Sequence, residues 1–222
     1  RKNPNVLRLQ RLAAIPDDAV VFLAGSTQAP EEELAIHAFK QVSELFPSLY
    51  LMIAPRHVER SAEIAKLLES SGMRWQLRSE LERNKPSPGV RILLIDSTGE
   101  LGWWWGTASI AFVGGSLDGK RGGQNMIEPA SYGCAVAFGP HTRNFREEVL
   151  ALLDDDAAEV VQNGLELEAF LRRCMMDNKF RHFRSQQAMR LVSARKGARS
   201  FTAARILDSF HEKKEQPAPG TT

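Results

Sequence analysis

At 222 residues the chain has room for one large or two small domains and for a sizeable core. Its 43% hydrophobic and 25% charged residues are those of an ordinary globular protein, and no apolar run approaches the roughly 18 residues of a spanning helix. The formal net charge of +2 conceals a polarity. Residues 1–12 carry Arg1, Lys2, Arg8 and Arg11 with no acid. Residues 178–207 carry Lys179, Arg181, Arg184, Arg190, Arg195, Lys196, Arg199 and Arg205, again with no acid, which leaves the middle net acidic. Such ends suit an anionic membrane surface, nucleic acid or an acidic partner domain, or simply a solvated helix face.

The opening Arg1-Lys2-Asn3-Pro4 has neither an initiator Met nor a signal peptide, so the chain is expected to be a piece of a longer protein. Cys134 and Cys174 make neither a disulfide framework nor a metal cluster, which fits a reducing, cytoplasmic setting. The five histidines lack H-x-x-x-H or H-E-x-x-H spacing, and no structural metal is expected.

In chain order, Val20 to Ala24 reads as a first buried strand ending at Gly25-Ser26-Thr27. Pro30 and the acidic trio Glu31, Glu32 and Glu33 mark a helix start, with Leu34, Ala38, Val42, Leu45 and Phe46 as its apolar stripe. Leu49 to Ala54 is a second strand closed by Pro55-Arg56-His57; a helix over roughly 58–70 and a short strand near Trp75 follow. Val90 to Ile95 is a strand leading into Asp96-Ser97-Thr98-Gly99-Glu100-Leu101. A helix with Trp103, Trp104 and Trp105 precedes the strand Ile110 to Val113, and core packing is the expected use of that tryptophan run.

Gly114-Gly115-Ser116 then leads through Gly122-Gly123-Gln124-Asn125 to a helix start at Asn125, with Glu128 in its first turn. Cys134 to Phe138 is a strand ending at Gly139-Pro140-His141, Asn144 to Leu153 a helix and Glu159 to Val161 an edge strand. From Leu165 the pattern is helical, broken near Asp177 and Gly197. Strands alternating with helices predict an α/β fold, a Rossmann-like doubly wound parallel sheet with a helical C-terminal extension. The predicted division is a linker and N-terminal helical segment over 1–17, a Rossmann-like nucleotide-sugar-binding domain over 18–212 and a disordered tail over 213–222.

In such sheets ligands bind beyond the carboxyl ends of the strands, where five polar motifs fall: Gly25-Ser26-Thr27, Arg56-His57, Asp96 to Glu100, Gly114-Gly115-Ser116 and Gly122 to Glu128. Ser26 and Thr27, with their N–H groups, suit a phosphate or a carboxylate-bearing sugar, and Arg56 beside His57 suits an anion. The N–H groups at Gly115, Ser116 and Asn125 suit the phosphate and Glu128 the ribose. Taken singly, each has a structural reading: Ser26 and Thr27 as helix caps, Arg56 as a surface ion pair, Asp96 as a turn former. Neither G-x-G-x-x-G at the first turn nor a P-loop is present, which argues against dinucleotide oxidoreductases and P-loop NTPases.

At these motifs the chain resembles 3-deoxy-D-manno-octulosonic acid (Kdo) transferases of lipopolysaccharide assembly, specifically their C-terminal half. The resemblance is carried by Ala24 to Thr27, Ala54 to His57, Asp96 to Leu101, Ala111 to Leu117, Gly122 to Asn125, Glu128-Pro129-Ala130, Phe138 to Thr142 and Asn144-Phe145. It implies the C-terminal half of an inverting GT-B glycosyltransferase that binds CMP-Kdo as donor, with no cofactor and no metal. The donor-binding positions it implies are Ser26, Thr27, Arg56, His57, Thr98, Gly99, Glu100, Gly115, Ser116, Gly123, Gln124, Asn125 and Glu128. No catalytic residue is expected in this chain, because an N-terminal domain would supply the carboxylate base and bind the lipid A precursor. The implied enzyme is peripheral at the cytoplasmic face of the bacterial inner membrane, with this fragment soluble. The family usually has His where this sequence has Gln124; an amide can hydrogen-bond but carries no imidazolium charge. The alternatives are a UDP-sugar-binding GT-B transferase or epimerase domain and, ranked lower, a basic nucleic-acid-binding module built on residues 178–207; nucleic acid is not the expected partner.

Overall fold

The computed structural model describes residues 3–84 and 86–195. Seven strands form one parallel sheet: β1 (Val20–Thr27), β2 (Leu49–Pro55), β3 (Trp75–Leu77), β4 (Ile92–Leu94), β5 (Ile110–Val113), β6 (Ala135–Phe138) and β7 (Ala158–Val160). Their order is β3-β4-β2-β1-β5-β6-β7. The chain therefore builds one half outward from β1, returns, and builds the other half from β5. That reversal puts the topological switch point between β1 and β5, which pair from Phe22↔Ile110 to Gly25↔Val113. The central strands β4, β2, β1, β5 and β6 are largely apolar and buried on both faces, as a parallel sheet covered by helices demands, whereas the edge strands β3 and β7 are only partly buried.

The two covering layers are distinct. On one face lie α2 (Glu31–Ser43), α3 (Ser61–Ser71) and α7 (Gly164–Met176), which bury Phe39, Ile64 and Phe170 against Phe22, Ile53 and Phe112. On the other lie α1 (Pro4–Leu12), α4 (Leu101–Trp104), α5 (Ile127–Ser131), α6 (Arg146–Asp154) and a helix over residues 178–195. These bury Leu9, Trp104, Trp105, Leu152, Ala188 and Val192 against the alternate residues of the same strands. Trp104 and Trp105 are both core residues, as the sequence suggested. The helix predicted from Asn125 begins two residues later at Ile127, after N-cap Met126; the Asn125 side chain makes an Asx turn just before it, Oδ1 accepting from the Ile127 N–H at 3.0 Å.

The segment over 1–17, read as a linker and N-terminal helical segment, carries α1. Its Val6 and Leu9 are fully buried, and Val6 lies against Gly106, where an added methyl would overlap it. Basic groups expected to face outward from residues 178–195 are partly turned inward. Arg181 donates to the Cys174 carbonyl at 2.7 Å, Arg184 to the Asp156 carbonyl at 2.7 Å, and Arg195 to the Glu147 carbonyl at 3.3 Å. The tail over 213–222, the break near Gly197 and the bases Lys196, Arg199 and Arg205 lie outside the described residues.

Gly106→Ala is expected to cost about 1–3 kcal/mol through overpacking against Val6. A urea melt should show the lowered midpoint, and pairing it with Val6→Ala should restore part of the loss.

Candidate functional site

The five sequence motifs fall at the carboxyl ends of β1, β2, β4 and β5, the last two sharing the stretch that follows β5. What organises them is a residue that the sequence suggested only as a favourable charge at a helix start. Glu31 opens α2 but is 98% buried, with 2% exposure, and its carboxylate reaches across the switch point. Oε2 accepts from the N–H of Gln28 at 2.9 Å and of Gly115 at 2.7 Å; Oε1 accepts from Ser116 at 2.9 Å and Leu117 at 3.1 Å. Burial pushes this carboxyl above its ordinary value, opposed by those backbone donors. Gly114 has to be glycine here, since a Cβ would lie 2.5 Å from both Glu31 Oε2 and the Thr27 Cα.

The clasp continues outward through Ser116. Its Oγ donates to the Val113 carbonyl at 2.7 Å and accepts from the Gly139 N–H at 2.8 Å, while its carbonyl accepts from the His141 N–H at 2.9 Å. The Gly123 N–H donates to the Gly115 carbonyl at 2.8 Å. Asn144 ties the same loop to the turn before α6, with its N–H on the Gly122 carbonyl and its Nδ2 on the Arg121 carbonyl. Three loops, after β5, after β6 and over residues 119–124, are thereby one hydrogen-bonded unit.

This geometry corrects part of the sequence reading. The N–H groups of Gly115 and Ser116, expected to hold a phosphate, are already occupied by Glu31. Thr27 and Ser116 have 0% exposure, so their side chains do not reach a ligand from outside; Ser116 is a strut between two loops. Neither Ser26 nor Thr27 caps α2, whose N-cap is Pro30 without a side-chain bond. Ser26 instead sits in a bulge of β1 with φ of 54°, a strained conformation for a non-glycine residue at the switch point.

Glu100 is also not free for a ligand. It accepts from Arg78 Nε at 2.6 Å and Nη2 at 2.8 Å, from Arg8 Nη2 at 2.9 Å and from Ser97 Oγ at 2.8 Å. Burial alone would raise this carboxyl, but hydrogen bonds from Arg78, Ser97 and Arg8 outweigh it and hold it at about 2. Asp96 similarly accepts from the Ser79 N–H and hydroxyl. The two acids lock the turn after β3, and α1, onto the end of β4. Only the loop tip, Thr98 and Gly99, is exposed.

The remaining predicted residues are at least partly accessible, apart from Gly123, which is buried. Arg56 is exposed, its backbone N–H bonded to the Thr27 carbonyl at 2.9 Å, and its guanidinium makes no hydrogen bond or ion pair among the described residues. His57 is half-exposed and lies 3.3 Å from Glu59 Oε1. The Gln124 side chain packs over Gly115, and Gly123 lies beneath Thr142. Asn125 and Glu128 are exposed neighbours, Asn125 Nδ2 donating to Glu128 Oε1 at 3.2 Å. A cavity of about 250 Å³ opens at this sheet end beside the Gly119–Gly122 loop. A larger hollow of about 470 Å³ lies at the opposite, amino end of the sheet, around Asp18, Ser109 and Arg181, away from all five motifs.

No family model matches the chain. Among curated proteins it is 35% identical over 156 residues to 3-deoxy-D-manno-octulosonic acid transferase of Haemophilus influenzae, covering 67% of this chain and 36% of that protein. The corresponding transferase of Bordetella pertussis is 31% identical over 201 residues, with 86% of this chain and 44% of the relative covered. The chain thus spans less than half the length of these relatives. Among solved structures, the C-terminal CMP-Kdo binding domain of WaaA from Acinetobacter baumannii superposes with a TM-score of 0.76 at 25% identity, covering 84% of this chain and 95% of that one. WaaG, a glycosyltransferase involved in lipopolysaccharide biosynthesis, matches at 0.59 and 11% identity, a likeness of fold alone. The predicted Rossmann-like, doubly wound half of a GT-B glycosyltransferase is the fold observed.

Glu31→Gln keeps the shape of the side chain but replaces one acceptor oxygen by an NH2 facing backbone donors. It is expected to destabilise the domain by on the order of 3 kcal/mol, read by urea denaturation, with amide exchange accelerated at Gly115, Ser116 and Leu117. For Glu100 the folded value of about 2 lies below the ordinary 4.5. Its stabilisation is complete above pH 4.5 and is lost as pH falls toward 2. The stability gap between wild type and Glu100→Gln, about 2–3 kcal/mol at pH 7, is therefore expected to narrow only below pH 4.5, as urea melts at stepped pH would record.

Proposed function

We propose that this chain, the counterpart of the C-terminal domain of 3-deoxy-D-manno-octulosonic acid transferases, is the donor-binding half of such an enzyme and binds CMP-Kdo at the carboxyl ends of its strands. The observation that carries this reading is the joint match of sequence and fold to the Acinetobacter CMP-Kdo binding domain over 84% of the chain. The motif set supports it, because the accessible members Arg56, Thr98, Gly99, Gln124, Asn125 and Glu128 rim one sheet end on both sides of the switch point.

The chemistry assigned to the whole enzyme is inverting transfer of the octulosonic acid to a lipid A precursor. The acceptor hydroxyl, deprotonated by a carboxylate of the other domain, attacks the anomeric carbon while its bond to the CMP phosphate oxygen breaks. Negative charge develops on the departing phosphate, so the contribution of this half is to bind the nucleotide and stabilise that charge. Our candidate for that role is Arg56, whose exposed guanidinium makes no hydrogen bond or ion pair among the described residues, and our candidate to accept from ribose hydroxyls is Glu128. Gln124, over Gly115, supplies a neutral amide at a position where a histidine would titrate. The acceptor and its membrane location belong to the whole enzyme, which we place at the cytoplasmic face of the inner membrane. Among the described residues no helix is long and apolar enough to cross a membrane, which fits peripheral attachment.

Calorimetric titration of this chain with CMP tests the reading, with UDP as the competing nucleotide. CMP is expected to bind in preference to UDP. Binding of UDP with no heat from CMP would reassign the site to UDP-sugar chemistry. Glu128→Ala is expected to weaken CMP binding roughly tenfold with an unchanged melting temperature, since the side chain is exposed. Loss of stability with unchanged affinity would make Glu128 structural.

A further inference from the structure

With the amides at Gly115, Ser116 and Leu117 filled by the protein's own carboxylate, this sheet end presents no empty amide cradle there. A second anion placed beside Glu31 would also be repelled by it. An anionic ligand at this edge therefore needs fixed cations at some distance from the clasp. The cavity of about 250 Å³ supplies them. Its walls are Gly119, Gly122, His141, Thr142, Arg143 and Arg146, and none of its lining residues is acidic.

The cavity is a built feature. Arg143 holds the far rim, with Nη1 donating to the Gly119 carbonyl at 3.2 Å and Nη2 to the Lys120 carbonyl at 3.1 Å. The His141 ring covers Gly119, whose φ of 72° lets the loop fold beneath it. The His141 backbone is anchored through Ser116 to the Glu31 clasp. Arg146 begins α6 and is exposed, and its guanidinium makes no hydrogen bond or ion pair among the described residues. A planar donor with all its N–H groups unengaged, beside a second arginine and an imidazole, is the arrangement that binds an oxyanion bidentately.

We propose that this cavity is an oxyanion subsite in which Arg146, with Arg143 and His141, binds an anionic group of the donor. The inference rests on the nucleotide-sugar reading above and deepens it. CMP-Kdo offers two oxyanions, the phosphate of the nucleotide and the carboxylate of the sugar acid, and the guanidinium geometry suits both. Arg146 is the direct anion contact, whereas Arg143 is a positioning residue that also lines the cavity.

The test is NMR titration of the isotopically labelled chain with inorganic phosphate, CMP, cytidine and free Kdo, following the amides of Gly119, Gly122 and Thr142. Phosphate and CMP are expected to shift these amides saturably, and cytidine to leave them unmoved. Arg146→Gln is expected to weaken CMP and phosphate about tenfold, the scale of one charge-assisted hydrogen bond at an open site, with Arg146→Lys intermediate. Shifts from Kdo but not from CMP would assign the cavity to the sugar carboxylate and still support the anion subsite. If no anion moves these amides, or if Arg146→Gln leaves every anion within twofold of wild type, the proposal is overturned. Should CMP bind with shifts confined to Arg56, Gln124 and Glu128, the subsite falls and the nucleotide reading stands. Should phosphate fill the cavity while neither CMP nor cytidine binds, the subsite stands and the nucleotide reading falls.

Discussion

The Glu31 carboxylate is the constraint on which the rest of this sheet end depends. Four backbone N–H groups from two segments more than eighty residues apart point at one buried side chain. A parallel sheet whose order reverses at β1 and β5 leaves a crevice there, with the N–H groups of the loop after β5 unpaired by any strand. In many folds of this class a ligand phosphate would satisfy them. Here the carboxylate does so permanently, and the loops after β5 and β6 inherit a fixed position before any ligand arrives. Such preorganisation lowers the ordering cost of binding. It requires Gly114, because only a missing Cβ lets the loop pass over both Glu31 and the Thr27 backbone.

The same principle recurs at the other half of the edge. Arg78, buried to 5% exposure, needs a counter-charge, and Glu100 supplies it while also gathering Arg8 and Ser97. Two acids that the sequence presents as ligand contacts or helix-dipole charges are thus spent on holding loops. The more accessible polar groups at this edge are the Arg56 guanidinium, the Thr98-Gly99 tip, the half-buried Gln124 and the hydrogen-bonded pair Asn125 and Glu128. Rigid acids inside and free polar groups outside are two layers of one site, and they carry different costs on mutation. Loss of an inner acid strands buried donors, whereas loss of an outer group removes a contact with the ligand.

What was legible in the sequence follows from range. Strands β1, β2, β5 and β6 are short apolar runs that end in glycine, proline or polar turn residues, and such local patterns suffice to place them within a residue or two at most ends. Their alternation with amphipathic helices gives the doubly wound sheet, and the sheet gives the edge where a site belongs. The role of Glu31 was not legible, because its partners at Gly115 to Leu117 are distant in the chain and offer only backbone groups. An acidic first turn is common to many helices, and nothing local distinguishes Glu31, turned inward, from the exposed Glu33. The burial of Thr27 and Ser116 escaped for a related reason, since a hydroxyl beside glycines reads alike as ligand contact or strut. One signal was available: Gly114 followed by a second glycine requires something to approach the backbone closely, and the nearest buried acid is the natural candidate.

On the donor-binding reading, the carboxyl group already seated in the crevice limits where an anionic ligand can sit. The Gly115 to Leu117 amides are taken by Glu31, so a nucleotide phosphate would lie farther out, toward Arg56 on one side or toward Arg143 and Arg146 on the other. The acids at the inner side of this edge are already engaged: Glu31 by loop amides, Asp96 by the Ser79 N–H and hydroxyl, and Glu100 by arginines. On that reading the inner carboxylates serve to hold the loops, and removal of the acceptor proton would fall to a group outside the Glu31 clasp.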